Sequence, residues 1–192
     1  PQVLYVLTYT AMRPIDSLCE LIDNAIDSFG TTGEPSKALI LVDLPSKKEI
    51  IDGNAILRVR DNGPGLSIDE VEKSLKAGFS SKYRFGKLGL FGVGFNIASG
   101  KLGMVTKFIT TKSSDEFAIE TIIDLKRLKK QGHYKIVPKK IDKPKYLDHG
   151  TIIEISSPWG EGNQNFGFMN KLVGQGRPTI LRTLGRKYAT IL

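Results

Sequence analysis

This sequence of 192 residues contains a single cysteine, Cys19. One cysteine excludes an internal disulfide, and with it the small secreted domains that depend on disulfide frameworks. No apolar run approaches the ~18 residues that a membrane-spanning helix requires. The sequence begins at Pro1 without a basic and apolar leader. We therefore expect no signal peptide, a cytoplasmic location, with a nuclear one as the alternative in a eukaryote, and a domain excised from a longer protein.

What the sequence does contain is typical of a globular protein. Hydrophobic residues make up 40% of the chain and charged residues 25%, which disfavours disordered and collagen-like chains. The length suits one domain of ordinary size and is too short for two domains with separate cores. We predict a single domain over residues 1–192.

The net charge of +8 is concentrated in one basic block, residues 126–145. This block holds nine lysines and arginines against one acidic residue, Asp142, so it alone accounts for the excess charge. Such a block can attract nucleic acid or another polyanion. Charge runs are more often solvated surface, and we expect a solvated hairpin or loop here, with nucleic acid binding as the alternative.

Hydrophobic spacing predicts a helix over residues 14–29. Pro14 suits its first turn and Gly30 its end. Two β-favouring runs follow, at 38–44 and 55–60, and we read both as strands that pair as neighbours.

Ser67 and Glu70 form a capping-box signature for a short helix that ends at Leu75. The remaining predicted elements are a helix that begins at 94–99, meander strands at 105–111, 117–124, 133–138 and 151–156, and a last helix opening at Pro178. This order predicts an α+β fold, a two-layer sandwich of a mixed, mostly antiparallel sheet with helices on one face.

The first predicted helix has an unusually acidic polar face. Spacings of three and four residues gather there Asp16, Glu20, Asp23, Asn24 and Asp27. Like charges at these spacings repel unless a cation relieves them, and oxygen ligands suit Mg²⁺. The alternative is a solvated acidic face.

A second cluster, residues 61–66 (DNGPGL), directly follows the strand at 55–60. Asn-Gly and Pro-Gly pairs mark turns whatever the function. Alternatively, the Asp61 carboxylate accepts hydrogen bonds from an amino group, and the flanking glycines let a flat ligand approach the backbone.

Residues 77–94 contain five glycines and few strong helix formers, which predicts a mobile loop. Its last glycines precede a helix, where backbone N–H groups can cradle a phosphate. The spacing matches neither a P-loop nor a dinucleotide fingerprint. A fourth signal is Gly150-Thr151. The threonine hydroxyl can bond a ligand; alternatively, the β-favouring threonine simply begins a strand.

Four boxes therefore occur in order: Glu20-x-x-Asp23-Asn24-x-x-Asp27, Asp61-x-Gly63-x-Gly65, Gly89-x-x-Gly92-x-Gly94 and Gly150-Thr151. Together they resemble the GHKL (Bergerat-fold) ATPase superfamily over residues 15–155. The pattern is closest to the ATP-binding domains of the 90-kilodalton heat-shock chaperone, MutL and MORC proteins. The subfamily stays open.

The resemblance implies roles for individual residues. Glu20 would activate the attacking water and Asn24 would bind Mg²⁺, with Asp23 or Asp27 in support. Asp61 would bind the adenine amino group. The adenine would also lie near Gly63, Gly65 and Thr151. A lid at 77–94 would close over the triphosphate, with phosphate contacts from Lys82, Lys87, Gly89, Gly92, Val93 and Gly94.

The implied function is Mg²⁺-dependent ATP binding with slow hydrolysis, which drives lid closure and a conformational or dimerisation switch. Hydrolysis would be weak in an isolated domain, because in the family a lysine or arginine of a following domain usually contacts the γ-phosphate. The alternatives are a histidine-kinase-type protein kinase and a nucleotide-binding regulatory module without catalysis. We take His133 and His149 as structural or surface residues.

Overall fold

The computed structural model describes residues 6–30, 38–79, 92–131 and 136–190. Its helices are α1 (Pro14–Phe29), α2 (Lys47–Ile51), α3 (Ile68–Phe79), α4 (Val93–Leu102), α5 (Leu125–Gln131), α6 (Phe168–Gly174) and α7 (Arg177–Tyr188). Its strands are β1 (Ile40–Asp43), β2 (Ile56–Asp61), β3 (Val105–Thr111), β4 (Phe117–Asp124), β5 (Lys139–Asp142) and β6 (Gly150–Ser156). In this part of the chain no helix is both long and apolar enough to cross a membrane.

The strands form one six-stranded sheet in the order β1-β2-β6-β3-β4-β5. Every pairing between these strands is antiparallel, where we predicted a mostly antiparallel sheet. The predicted pairing of β1 with β2 is confirmed. The predicted plain meander is wrong, because β6 lies between β2 and β3. This insertion places Thr151 opposite both Asp61 of β2 and Thr110 of β3.

The main core lies between one face of the sheet and the helices. Alternating strand residues such as Leu57, Phe108 and Ile155 are fully buried there against Leu18 of α1 and Phe95 of α4. The opposite face carries a smaller apolar cluster, in which Leu147 covers Ile109, Ala118 and Ile152. The α+β architecture with helices on one face of the sheet is confirmed.

Several predicted boundaries need correction. The helix that Ser67 caps is present, with the Ser67 amide donating to Glu70 at 2.7 Å, but it continues past Leu75 to Phe79. The predicted strand at 133–138 is wrong where it is described, since 136–138 are irregular and the strand lies at Lys139–Asp142.

Three short helices were not predicted: α2, α5 and α6. In α5 the sequence LKRLKKQ looks like a charged loop. Burial of Leu125 and Leu128 in the main core gives this segment a helical packing face, which local composition alone does not reveal.

The glycine-rich segment is narrower than predicted. Residues 77–79 belong to α3, and residues 93 and 94 are the first two of α4. Three predicted phosphate contacts, Lys82, Lys87 and Gly89, lie outside the described residues.

Candidate functional site

One edge of α1 carries Glu20, Asn24 and Ser28 at intervals of four residues. At its far end Ser28 lies beside Gly63, where an added side chain would collide with the Ser28 hydroxyl. At the near end the Glu20 carboxylate lies against Gly94 of α4. Eight residues at 1.5 Å each separate these contacts by about 12 Å. Helix α1 thus spans the distance between the turn at residues 61–65 (the Asp61 turn) and the start of α4.

The other acidic residues of α1, which are Asp16, Asp23 and Asp27, do not lie on this edge. Both carboxylate oxygens of Asp23 are bound by α7, one by the Tyr188 hydroxyl and one by the Lys187 ammonium, each at 2.7 Å. Asp16 forms an ion pair with Arg13, which lowers the pKa of the Asp16 carboxyl through a direct hydrogen bond. Protein cations neutralise these two carboxylates.

Asn24 is held by its own helix. Its amide nitrogen donates to the Glu20 carbonyl oxygen at 2.6 Å, which fixes the side chain and leaves the amide oxygen as an acceptor. Within the described part of the chain, the Glu20 carboxylate has no hydrogen-bond or ion-pair partner. Asp27 lies on the exposed side of α1.

Asp61 ends β2 as a buried carboxylate, with only 7% of the residue exposed. The backbone N–H of Gly63 donates to its Oδ1 at 2.8 Å, and the backbone N–H of Thr151 also donates to the carboxylate. Burial raises the pKa of Asp61 to about 6, because desolvation outweighs these two hydrogen bonds. Such a carboxylate favours a ligand that brings another hydrogen-bond donor.

Gly65 closes the turn in a backbone conformation that suits glycine. Its φ is +68°, and a side chain there would overlap the carbonyl oxygen of Thr111. The turn therefore packs directly on the end of β3. The packing of the fold therefore requires glycine at positions 63 and 65. The same glycines also let a ligand approach the backbone.

Thr151 is buried, and its hydroxyl lies 3.2 Å from that of Thr110 on β3. The Thr110 hydroxyl donates to the Gly150 carbonyl at 3.0 Å and accepts from the Leu66 amide at 3.0 Å. Since the single proton of Thr110 is used, Thr151 is the donor between the two hydroxyls. The oxygen of Thr151 keeps a lone pair for a further donor.

Helix α4 begins at Val93, and its N-cap residue, Gly92, provides no side-chain cap. The first-turn N–H groups of a helix have no partner within that helix, so this end of α4 suits the binding of an anion. Val93 is 48% exposed at this end. A side chain at Gly94 would overlap the Glu20 carboxylate. The predicted phosphate-binding backbone at 92–94 thus lies next to Glu20.

Sequence reasoning missed three residues at this site: Ser28, Thr110 and His149. Ser28 continues the four-residue spacing of Glu20 and Asn24, a signal that was available. Thr110 lies across the sheet from Thr151 and only the strand order reveals it. His149 places its Nδ1 2.8 Å from the Gly63 carbonyl oxygen.

The basic block is partly α5 and partly the edge strand β5, so the expectation of a simple hairpin or loop is wrong. The Lys143 ammonium donates to the carbonyls of Lys112 and Asp115 at the β3–β4 connection. Lys140 lies 4.0 Å above the centre of the Phe117 ring. These two cations have structural partners, whereas Lys126 and Lys130 are exposed on α5.

Comparison with known proteins identifies a matching family. Residues 12–151 match the model of the "Histidine kinase-, DNA gyrase B-, and HSP90-like ATPase" family. Mouse MORC family CW-type zinc finger protein 3 is 30% identical over 122 residues, which is 62% of this chain and 12% of that protein.

Two proteins of Arabidopsis thaliana are also similar. Protein MICRORCHIDIA 6 is 25% identical over 66% of this chain and 18% of its own length. Protein MICRORCHIDIA 1 is 24% identical over 81% of this chain and 24% of its own length. The chain spans a quarter or less of these curated relatives.

Proposed function

Because this chain belongs to the family of histidine kinase-, DNA gyrase B- and HSP90-like ATPases, we propose that it binds ATP along the Glu20, Asn24 and Ser28 edge of α1 and hydrolyses it slowly. The similarity to MORC proteins supports the ATP-hydrolysing branch rather than a protein histidine kinase. We also propose that residues 1–192 act as one ATP-binding domain.

One observation carries the proposal. A single edge of α1 runs from the buried carboxylate at the Asp61 turn to the uncapped start of α4, through Ser28, Asn24 and Glu20. A hydrogen-bond acceptor for a base at one end and anion-binding backbone at the other end suit a nucleotide triphosphate.

At the adenine end, Asp61 accepts a hydrogen bond from the exocyclic amino group. Gly63 and Gly65 let the flat base approach the turn, and the spare lone pair of Thr151 accepts a further donor. At the phosphate end, the N–H groups of residues 92–94 face the triphosphate. Lys82, Lys87 and Gly89 complete the lid in this proposal.

Glu20 is the general base. Its carboxylate has no competing partner within the described residues and lies against Gly94, beside the proposed phosphate-binding backbone. There it accepts the proton of a water that attacks the γ-phosphate. Asp23 is left out of this set, because both its oxygens are already bound by α7. Asp27 keeps only a supporting role at the exposed edge.

The side chains present fit Mg²⁺. In the described ranges no group of three or more His, Cys, Asp or Glu residues could hold a metal. Mg²⁺ is usually bound by one or two protein oxygens, several waters and substrate phosphates. Asn24 would supply its free amide oxygen. Bound Mg²⁺ would neutralise charge on the phosphates.

We further propose that ATP closes a lid between α3 and α4 and favours self-association of the chain. The bound nucleotide favours the lid-closed, associated state only until it is hydrolysed. Slow hydrolysis therefore returns the chain to its open state. Binding of nucleic acid through residues 126–145 is a separate proposal, supported only by charge.

Calorimetric titration of ATP with Mg²⁺ tests the proposal, together with phosphate release. We expect the wild type to bind, Asp61→Asn to lose most affinity, and Glu20→Gln to bind normally but release no phosphate. Wild-type protein that binds no ATP would contradict the proposal. Binding without phosphate release in the wild type would favour the regulatory module without catalysis.

A further inference from the structure

His149 holds the turn that carries Asp61, although no sequence motif assigns it a role. It is the last residue before β6, it is half-buried, and its Nδ1 lies 2.8 Å from the carbonyl oxygen of Gly63. The amide of the same Gly63 donates to the Asp61 carboxylate. One glycine therefore contacts both His149 and Asp61.

Three consecutive residues contact this turn. His149 bonds the Gly63 carbonyl, Gly150 packs so closely that a side chain would overlap the Asp61 carbonyl, and Thr151 donates its backbone N–H to the Asp61 carboxylate. Gly150 adopts a φ of +112°, which favours glycine. The chain before β6 is thus shaped to fit the turn after β2.

The contact with Gly63 determines which ring nitrogen of His149 carries a hydrogen. A carbonyl oxygen can only accept, so Nδ1 carries a hydrogen in both the neutral and the charged ring. Burial raises the pKa of Asp61, and a positive charge on His149 acts in the opposite direction, in favour of the carboxylate.

Other charged and titratable groups surround this pair. Arg60 and Tyr146 line a cavity of about 210 Å³ with His149 and Asp61, and Asp148 precedes the histidine. Lys112 lines a neighbouring cavity of about 660 Å³ and is paired with Glu70 at 2.8 Å. Among these groups, His149 is the one that bonds the Gly63 carbonyl while facing Asp61.

We propose that His149 is a positioning residue for nucleotide binding: it holds the Asp61 turn through the Gly63 carbonyl and keeps Asp61 ionised as the acceptor for the adenine amino group. This inference rests on the proposed function. It predicts that His149 controls both the affinity for the nucleotide and the pH range of binding without touching the nucleotide.

The test measures the dissociation constant of Mg²⁺-ATP from pH 5 to pH 8.5 for the wild type, His149→Leu and His149→Asn. His149→Leu removes the donor and the charge, so affinity at pH 8 falls roughly three- to tenfold. The pH midpoint of binding rises as well. Asparagine places an amide N–H near the Nδ1 position, so His149→Asn recovers the affinity at pH 8 but keeps the raised midpoint.

Asp148→Asn is the matched control, since it removes a neighbouring charge without touching the Gly63 carbonyl. Its midpoint stays unchanged or falls. His149→Leu with wild-type affinity at pH 8, or with an unchanged midpoint, would overturn the inference while the proposed function stands. A wild type that binds no ATP would overturn both. Thermal melting confirms that each variant is folded.

Discussion

The carboxylate of Glu20 lies directly against Gly94, the second residue of α4. No side chain fits between them, because a Cβ on Gly94 would overlap the Glu20 Oε2 atom. The proposed general base is thus in contact with the backbone proposed to bind phosphate.

Gly94→Ala should therefore displace the Glu20 carboxylate. We expect phosphate release to fall by roughly tenfold or more, since misplaced catalytic groups lose rate steeply. The measurement is single-turnover hydrolysis of ATP.

Gly185→Ala is the control for that substitution. Gly185 lies inside α7, where a Cβ would meet no atom within 4 Å. Alanine there should stabilise the helix by about 1 kcal/mol and leave hydrolysis unchanged. Equal hydrolysis by Gly94→Ala and Gly185→Ala would contradict the placement of Glu20.

The buried Asp61 should make stability depend on pH. Its pKa is about 6 in the folded chain, above the ordinary value of 3.8. The folded state therefore binds more protons than the unfolded state between these pH values, and its stability rises as pH falls through that window. Relative to Asp61→Asn, the wild type should gain about 2.5 kcal/mol of unfolding free energy between pH 7.5 and pH 4.

Urea denaturation of both proteins at several pH values measures this difference. Since Asp61→Asn removes only this one titration, the comparison cancels the other acidic groups. A difference between the two proteins that is constant with pH would show that Asp61 does not titrate as a buried group.

Tyr188 ties α7 to α1 through Asp23 and the Cys19 carbonyl. Tyr188→Phe leaves the Asp23 oxygen without this donor in a partly buried place. The free energy of unfolding should fall by about 1–2 kcal/mol. Tyr146→Phe is the matched control, because Tyr146 is 62% exposed and should lose almost nothing. Equal losses would mean that the Asp23 contact does not stabilise the fold.

Nucleic acid binding, if residues 126–145 provide it, should depend on the exposed lysines of α5. We expect Lys126→Gln with Lys130→Gln to weaken binding of a DNA duplex uniformly. The salt slope should become shallower by about one for each phosphate that the lysines no longer neutralise. Fluorescence anisotropy at several salt concentrations measures both quantities.

Lys171→Gln, on α6, is the control for these substitutions, because it removes the same charge per residue outside the basic block. It should leave both the affinity and the salt slope nearly unchanged. No binding by the wild type at low salt would reject the proposal.

Much of the fold was predictable because its signals are local. The apolar spacing of residues 14–29, the capping pair Ser67 and Glu70, and the β-favouring runs at 105–111 and 117–124 each depend on neighbours in sequence. The structure confirms them within a few residues. The ordered boxes also indicated the ATPase family, which the family match confirms.

The sequence by itself determined which residues carry polar chemistry, because residue type and short spacing are written in it. Only the tertiary structure decided which of them meet. Inserting β6 between β2 and β3 brought Thr151 to Asp61. Packing of α7 on α1 engaged Asp23, whereas Glu20 lies against Gly94. These contacts join residues far apart in the chain, and their geometry follows from burial of the whole core rather than from any local pattern.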